Sequence, residues 1–310
     1  MKKIMQTLLF SVTNERGAAK IIVAFSIIAL LGFTALVVDV GAVYFEKSRL
    51  QKALDAAVLG GAQRLLVSQN EAKDTAKDIA SKNGFTIADA EVETEAQAIE
   101  IEKTINKQMT FAKILGIDDT DIYAVARAEL IQSALVQKDG IVPVGPLIGD
   151  YQAGNQYELN FSPGNGNRGN YGFLALEGNG AAMGETIRNG SEATYKIGDE
   201  VLTEPGLSWG IARPAFQYRI DQDANKQHCQ VFETADFDCK RVIIIPLIQT
   251  YEDANGRDVV KISGFAAVWI EKVGTQSNHV ITGRFIDFVT GGIFDDNGTE
   301  TNLYRVKLVK

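Results

Sequence analysis

The chain has 310 residues, of which 45% are hydrophobic and 23% charged, with a formal net charge of −8 and two cysteines. That is enough apolar material for an anchor and one or two domains with proper cores, and it excludes a disordered chain. The acidic balance provides no electrostatic footprint for nucleic acid, which is excluded as a partner.

Residues 1–20 read as a short cytoplasmic leader, with Lys2, Lys3, Arg16 and Lys20 set against Glu15. Ile21 to Val38 then run without a charge between Lys20 and Asp39. As a helix this run rises about 27 Å at ~1.5 Å per residue, close to the roughly 30 Å hydrocarbon core of a bilayer. Residues 21–43 are therefore predicted to be a transmembrane helix with the lipid bilayer as partner. A secretory signal peptide is the rival reading. The run is longer than a usual apolar signal region, and a helical pattern follows it instead of a small-residue cleavage motif. The Lys/Arg excess before the span predicts a single-pass cell-membrane protein with a cytoplasmic N-terminus and an extracellular C-terminal bulk.

From Asp39 to about Ser68 there is no proline, and Tyr44, Leu50, Leu54, Ala57, Val58, Gly61, Leu65 and Leu66 recur at helical spacing, predicting one rod that leaves the membrane. The small-residue stripe Ala53, Ala56, Ala57, Gly60, Gly61 lets another backbone approach closely, from the protein's own domain or from a neighbouring helix. A polar helical continuation, Gln69 to Lys82, is expected to stop at Asn83-Gly84. Alternation from Phe85 and Ile87 through Val92 to Ile105 predicts a hairpin, Met109 to Leu115 a short helix, and Asp121 to Leu130 a third strand. Residues 44–135 thus form an α+β stalk whose small antiparallel sheet packs on the rod.

The arrangement Arg16-Gly17-Ala-Ala, an apolar span, Val38-Asp39-Val-Gly41-Ala-Val-Tyr44 and Leu50-Gln51-Lys-Ala53-Leu-Asp55-Ala56-Ala57-Val-Leu-Gly60-Gly61-Ala62 resembles the N-terminal module of TadG-like Flp pilus assembly proteins of the Tad tight-adherence system. The resemblance covers residues 16–66 and extends more weakly to residue 130. It implies a membrane-anchored component of a secretion and pilus system. The family-motif residues here are Asp39, Gly41, Tyr44, Leu50, Gln51, Asp55, Ala56 and Ala57, and the implied partners are Flp/Tad pilus or pseudopilin components. Gly17 corresponds to the point at which pilin-type precursors are cut. Pilin-like members have a Glu five residues later, where this chain has Ile22, and Lys20 interrupts the neutral stretch. An uncleaved anchor is expected, with a minor pilin cleaved after Gly17 as the alternative.

Ile141-Val-Pro143-Val-Gly145-Pro146 predicts a stiff extended linker over 136–146. Beyond it, residues 147–310 read as an all-β sandwich or jelly-roll-like domain. Its strands are expected near 156–161, 172–176, 192–197, 200–203, 241–249, 259–270, 280–289 and 304–309, with helical pieces near 181–189 and 211–219. The pattern Pro163-Gly-Asn165, Asn170-Tyr171-Gly172, Gly198-Asp199, Glu204-Pro205-Gly206, Cys229 to Cys239 and Arg241 to Pro246 is similar, more loosely, to the β-rich domain of some TadG-like proteins of Gram-positive bacteria. In an oxidising compartment Cys229 and Cys239 would most simply pair, closing a short loop worth on the order of 3 kcal/mol; two free thiols are the alternative.

The sequence offers little for catalysis. The loop Pro163 to Asn170 lacks the Lys-Ser/Thr of a phosphate cradle and reads as a surface loop, whose Asn residues and Arg168, with Tyr171, suit a sugar or a pilus subunit. Asp221-Gln-Asp223-Ala-Asn225 begins like a calcium loop, but Lys226 and Phe232 stand where Gly and Glu are required. Asp295-Asp-Asn-Gly298 reads as a hairpin turn, and Glu91 to Glu102 as a solvated strand face. With His228 and His279 the only histidines, and no Asp-x-Ser-x-Ser of a von Willebrand type A domain, no metal, cofactor or catalytic residue is assigned. The expectation is a non-enzymatic surface protein that anchors or presents pilus components and touches wall polymers. A surface adhesin or carbohydrate-binding module on a membrane anchor is the reading from another class.

Overall fold

The structure, a computed structural model, describes residues 15–161, 169–296 and 301–309. Helix α1 (Glu15–Ala62) has 48 residues, about 72 Å of rise at ~1.5 Å per residue. It is the one helix among the described residues long and apolar enough to cross a membrane. Ile21, Phe25, Leu30, Leu31 and Phe33 are all exposed, and from Ala19 onwards the first buried side chain is Asp39. The Thr34 hydroxyl donates to Leu30 O at 2.8 Å, so the apolar run satisfies its own polar group. From Leu50 onwards the character changes. Leu50, Ala53, Leu54, Ala57, Val58 and Ala62 are buried at i, i+3, i+4 spacing against the protein itself.

The rod ends at Ala62, not near Ser68, and the polar segment is not its continuation. Ser68 Oγ accepts from Glu71 N at 3.1 Å, capping a separate helix α2 (Gln69–Lys82). Helix α2 folds back on α1 and buries Ala72, Ala76 and Ala80. The glycines at the end of α1 permit this approach: a Cβ at Gly61 would lie 2.8 Å from Ala72 O and 2.8 Å from Ile99 Cδ1. The small-residue stripe is thus occupied from within the chain, by α2 and the sheet behind it. Gly84, at φ +90°, ends the hairpin of helices.

Strands β1 (Val92–Thr94), β2 (Ala98–Gln108) and β3 (Asp119–Gln132) follow, with β2 and β3 joined by a tip containing a 3-10 turn at Ala112–Leu115. The apolar parity of β3, Ile122, Ala124, Ala126, Ala128 and Leu130, faces α1. The sheet order is β1-β2-β3-β14-β12, with β12 at Phe288–Val289. Strand β14 (Leu303–Val309) is the last of the chain, and it pairs antiparallel with β3 from Tyr304↔Gln132 to Val309↔Arg127. Expected as part of the β-rich domain, it instead completes the sheet that packs on α1. The two regions are therefore tied by both ends of the second one. Strand β13 (Ile293–Asp295), at the start of the expected turn Asp295 to Gly298, pairs with β4 (Ala134–Lys138); residues 297–300 lie outside the described residues.

Residues 136–146 are not a solvated spacer. Strand β4 lies between β13 and β7 (Tyr195–Lys196), and Ile141, Val142 and Val144 are fully buried. Val142 N donates to Ile244 O and Ile148 N to Ile248 O, both at 2.8 Å. Local proline chemistry makes the segment extended, and its branched apolar side chains then draw it into the core.

The second region is organised on β10 (Val259–Val273), which pairs in succession with β8 (Glu200–Pro205), β9 (Val242–Ile248) and β11 (Ile281–Phe285). Strands β5 (Gln156–Glu158) and β6 (Asn170–Ala175) flank this sheet. One face of β9 and β10, through Ile243, Ile245, Ala266 and Val268, is covered by helices α3 (Ala181–Asn189) and α4 (Trp209–Gln222). The other face, through Ile244, Phe265, Ala267 and Trp269, lies against Cys229, Cys239 and Leu135. A helix pair thus takes the place that a second sheet would occupy in a two-sheet sandwich, and the whole is an α+β protein with an N-terminal helix.

Candidate functional site

The residues singled out on α1 fall into two groups. Asp39 sits at the end of the exposed apolar run and is only 3% accessible. Its Oδ1 accepts from Thr110 N at 3.0 Å, and its Oδ2 accepts from Phe111 N at 2.8 Å and Ala112 N at 2.6 Å. Three backbone donors at the start of the 3-10 turn are satisfied by one carboxylate, so the tip of the β2–β3 hairpin is clamped to the rod. Three turns further on, Gln51 Nε2 donates to Val125 O at 2.8 Å and to Asp55 Oδ1 at 2.8 Å, fixing β3 to α1. Leu50 and Ala57 are fully buried, and Ala56 is half-buried. These residues assemble the module internally. Gly41 and Tyr44 do not: a Cβ at Gly41 would meet nothing within 4 Å, and Tyr44 is 75% exposed.

Gly17 lies in the first turn of α1. Cys229 and Cys239 form a disulfide, with Cα atoms 5.4 Å apart. The loop it closes reaches back to the helical module: Arg64, just beyond α1, pairs with Asp236 and stacks over the Phe237 ring at 4.7 Å. His228 Nε2 lies 3.6 Å from Asp236 Oδ1 and 3.4 Å from Cys229 Sγ. That cluster of His228, Cys229 and Cys239 has its sulfurs bonded to each other and so offers no thiolate to a metal.

Other polar groups are spent on structure. Asp223, from the calcium-like run, is fully buried, accepts from Arg241 N at 2.7 Å and faces Lys226 Nζ at 3.6 Å. Arg219 donates to Ile187 O and Lys240 O, and burial lowers its guanidinium to about 10. The Arg241 guanidinium lies over Trp269 at 4.1 Å. On the acidic strand face, Arg127 contacts Glu95 at 3.2 Å and Glu129 at 3.0 Å; its hydrogen bond and charge hold the Glu95 carboxyl below its ordinary value. Residues 163–168 of the Gly/Asn loop lie outside the described residues, and Asn170 is buried, donating to Ala254 O at 3.3 Å. A cavity of about 360 Å³ bounded by Leu135, Tyr151, Gly264, Phe285 and Asn302 includes one carboxylate, Asp150, and no Lys, Arg, His or Cys among its described lining.

The Asp39 clamp was not readable from sequence, because its partners lie 71 to 73 residues away from Asp39. The available signal was an acidic residue at the edge of an apolar run, without any indication of what it binds.

Residues 17–64 match the family model described as putative Flp pilus-assembly TadE/G-like. The match covers α1 and its exit and none of the β-rich region, and it ties the helical module to Flp pilus assembly. No curated protein matches the chain, and no solved structure does.

Proposed function

We propose that this protein is a non-enzymatic, membrane-anchored component of a Flp/Tad-type pilus assembly system, fixed in the bilayer through residues 21–43 and presenting its α+β and β-rich parts outside the cell. The observation that carries the reading is that the segment matching the TadE/G-like model is the helix whose first half exposes an unbroken apolar surface and whose second half is built into a folded module. Lys/Arg excess before the span supports an inward N-terminus. The disulfide supports residence of the bulk in an oxidising compartment. Its action is mechanical. The span resists extraction, Asp39 and Gln51 make the sheet rigid with the rod, and the outward Gly41 and Tyr44 face pilus-system components. Mass spectrometry of the protein recovered separately from membranes and from sheared surface filaments tests this. An intact N-terminus confined to membranes is expected, whereas a chain beginning at Ala18 in filaments would make it a minor pilin cleaved after Gly17.

A further inference from the structure

The hairpin that packs on α1 runs towards the membrane end of the helix. Ile99 meets the rod at Gly61, Val125 at Gln51, and Thr110 to Ala112 at Asp39. The β2–β3 tip is therefore at the level where the exposed apolar run ends, immediately after Val38. What it displays there is apolar: Phe111 is 41% exposed, Ile114 86% and Ile117 50%. Lys113 is the only charged residue from Met109 to Ile117, and its long stem suits a cation held at a headgroup. An isolated hairpin tip in water gains nothing from three exposed branched or aromatic side chains beside a clamp that buries a carboxylate to hold them in place. Phe45, also exposed, stands between one and two turns beyond Asp39, at the depth where aromatic side chains line a membrane surface.

We propose that the β2–β3 tip is a second membrane contact, with Phe111, Ile114 and Ile117 inserted shallowly into the leaflet from which α1 emerges, and Asp39 acting as the positioning residue that sets their depth. The occupant of this apolar surface is lipid, because the tip is continuous with the lipid-facing surface of residues 21–38. The inference rests on the anchor reading above. One contact through a single helix leaves the exported part free to swivel and tilt; two contacts, joined by the Asp39 clamp, fix the orientation in which the β-rich part is presented.

The test uses the full chain reconstituted in phosphatidylcholine/phosphatidylglycerol vesicles carrying nitroxide lipids labelled near the headgroup or deep in the acyl chain. The native cysteines are bonded to each other, so a single introduced thiol takes an environment-sensitive fluorophore. Three variants are compared: Ile114→Cys at the tip, Leu30→Cys in the span, and Asn70→Cys at the exposed start of α2. The proposal expects deep quenching for Leu30→Cys, and for Ile114→Cys a blue-shifted emission quenched several-fold more by the shallow nitroxide than that of Asn70→Cys. Adding Asp39→Asn to Ile114→Cys should reduce that quenching while Leu30→Cys is unaffected. Quenching of Leu30→Cys with none at Ile114→Cys overturns the second contact and leaves the anchor intact. Absence of quenching at both overturns the anchor as well. A tip that ignores the nitroxides while the Ile114→Cys protein oxidises to a covalent dimer would identify a second copy as the occupant, against the proposal.

Discussion

Residues 21–38 and residues 50–62 belong to one uninterrupted helix, yet their apolar side chains meet opposite fates. In the first stretch the apolar residues surround the helix and stay exposed; in the second they form one stripe, and that stripe is buried. The difference lies in the polar residues. Gln51, Lys52 and Asp55 interrupt the second stretch and leave it a water-facing side, so only one face needs covering, and β2, β3 and α2 supply the cover. The first stretch has no polar side to offer, and no other element of the described chain packs on it. The same covalent rod is thus suited to two solvents, and Asp39 marks the junction.

The contrast is broken most strongly by truncating the two halves in turn. Leu54→Ala, in the buried half, is expected to lower the unfolding free energy of the folded region by about 2–5 kcal/mol, whereas Leu30→Ala should change it by less than ~0.5 kcal/mol. Thermal denaturation of both variants in the same detergent measures the difference. Equal effects would mean that the two halves share one environment.

Next in size is the disulfide, whose loop bears the Asp236 that pairs with Arg64 at the buried end of the rod. Replacing Cys229 and Cys239 by serine should cost roughly 3 kcal/mol and raise hydrogen exchange around residues 59–67, leaving the span untouched. Smaller again is Asp39→Ala, which leaves three backbone donors without their acceptor. An increase in amide exchange confined to residues 109–118, equivalent to about 1–3 kcal/mol, is expected, with little change in the exchange of β3 beyond Val125.

The smallest effect is acid sensitivity of the stalk. Hydrogen bonding to Arg127 holds Glu95 below its ordinary value, and hydrogen bonding to Lys77 does the same for Asp89. Carboxyls with lowered values bind fewer protons folded than unfolded, so their contribution is complete above the ordinary carboxylate range and disappears as pH falls through it to the lowered folded values. Denaturation midpoints should therefore fall modestly on acidification below about pH 4, and less so in Arg127→Ala. A midpoint that rose on acidification would contradict the assignment.

Much of this was written locally in the chain. Residues 21–38 announce themselves by the absence of charge, and β3 by its parity from Ile122 to Leu130. What escaped was non-local. Nothing within Leu303–Val309 says that its partner is β3, some 170 residues earlier in the chain, instead of its nearer neighbours. The stop at Ala62 had a signal in Gly60 and Gly61, glycines that admit a close backbone, but two partners fitted equally until α2 was seen to occupy the space. Pro143 and Pro146 correctly implied extended backbone, though extension did not distinguish a linker from a core strand. For the candidate site, the positions of Asp39 and Gln51 were legible, but the acceptor role of the one and the donor role of the other were not, since hydrogen-bond partners across more than 70 residues leave no local pattern.

The most direct test of one helix in two solvents is a spin-label accessibility scan from Lys20 to Ala62 in lipid vesicles, comparing collision with oxygen, which concentrates in the bilayer, and with a water-soluble nickel complex. The expected profile has high oxygen and negligible nickel accessibility at every position from Ile21 to Val38. At Asp39 it changes to a helical oscillation in which Leu50, Leu54, Ala57 and Val58 are shielded from both reagents while Lys52 admits nickel. Nickel accessibility spread evenly along residues 21–38 would show that stretch in water, and the account of the protein as membrane-anchored would be wrong.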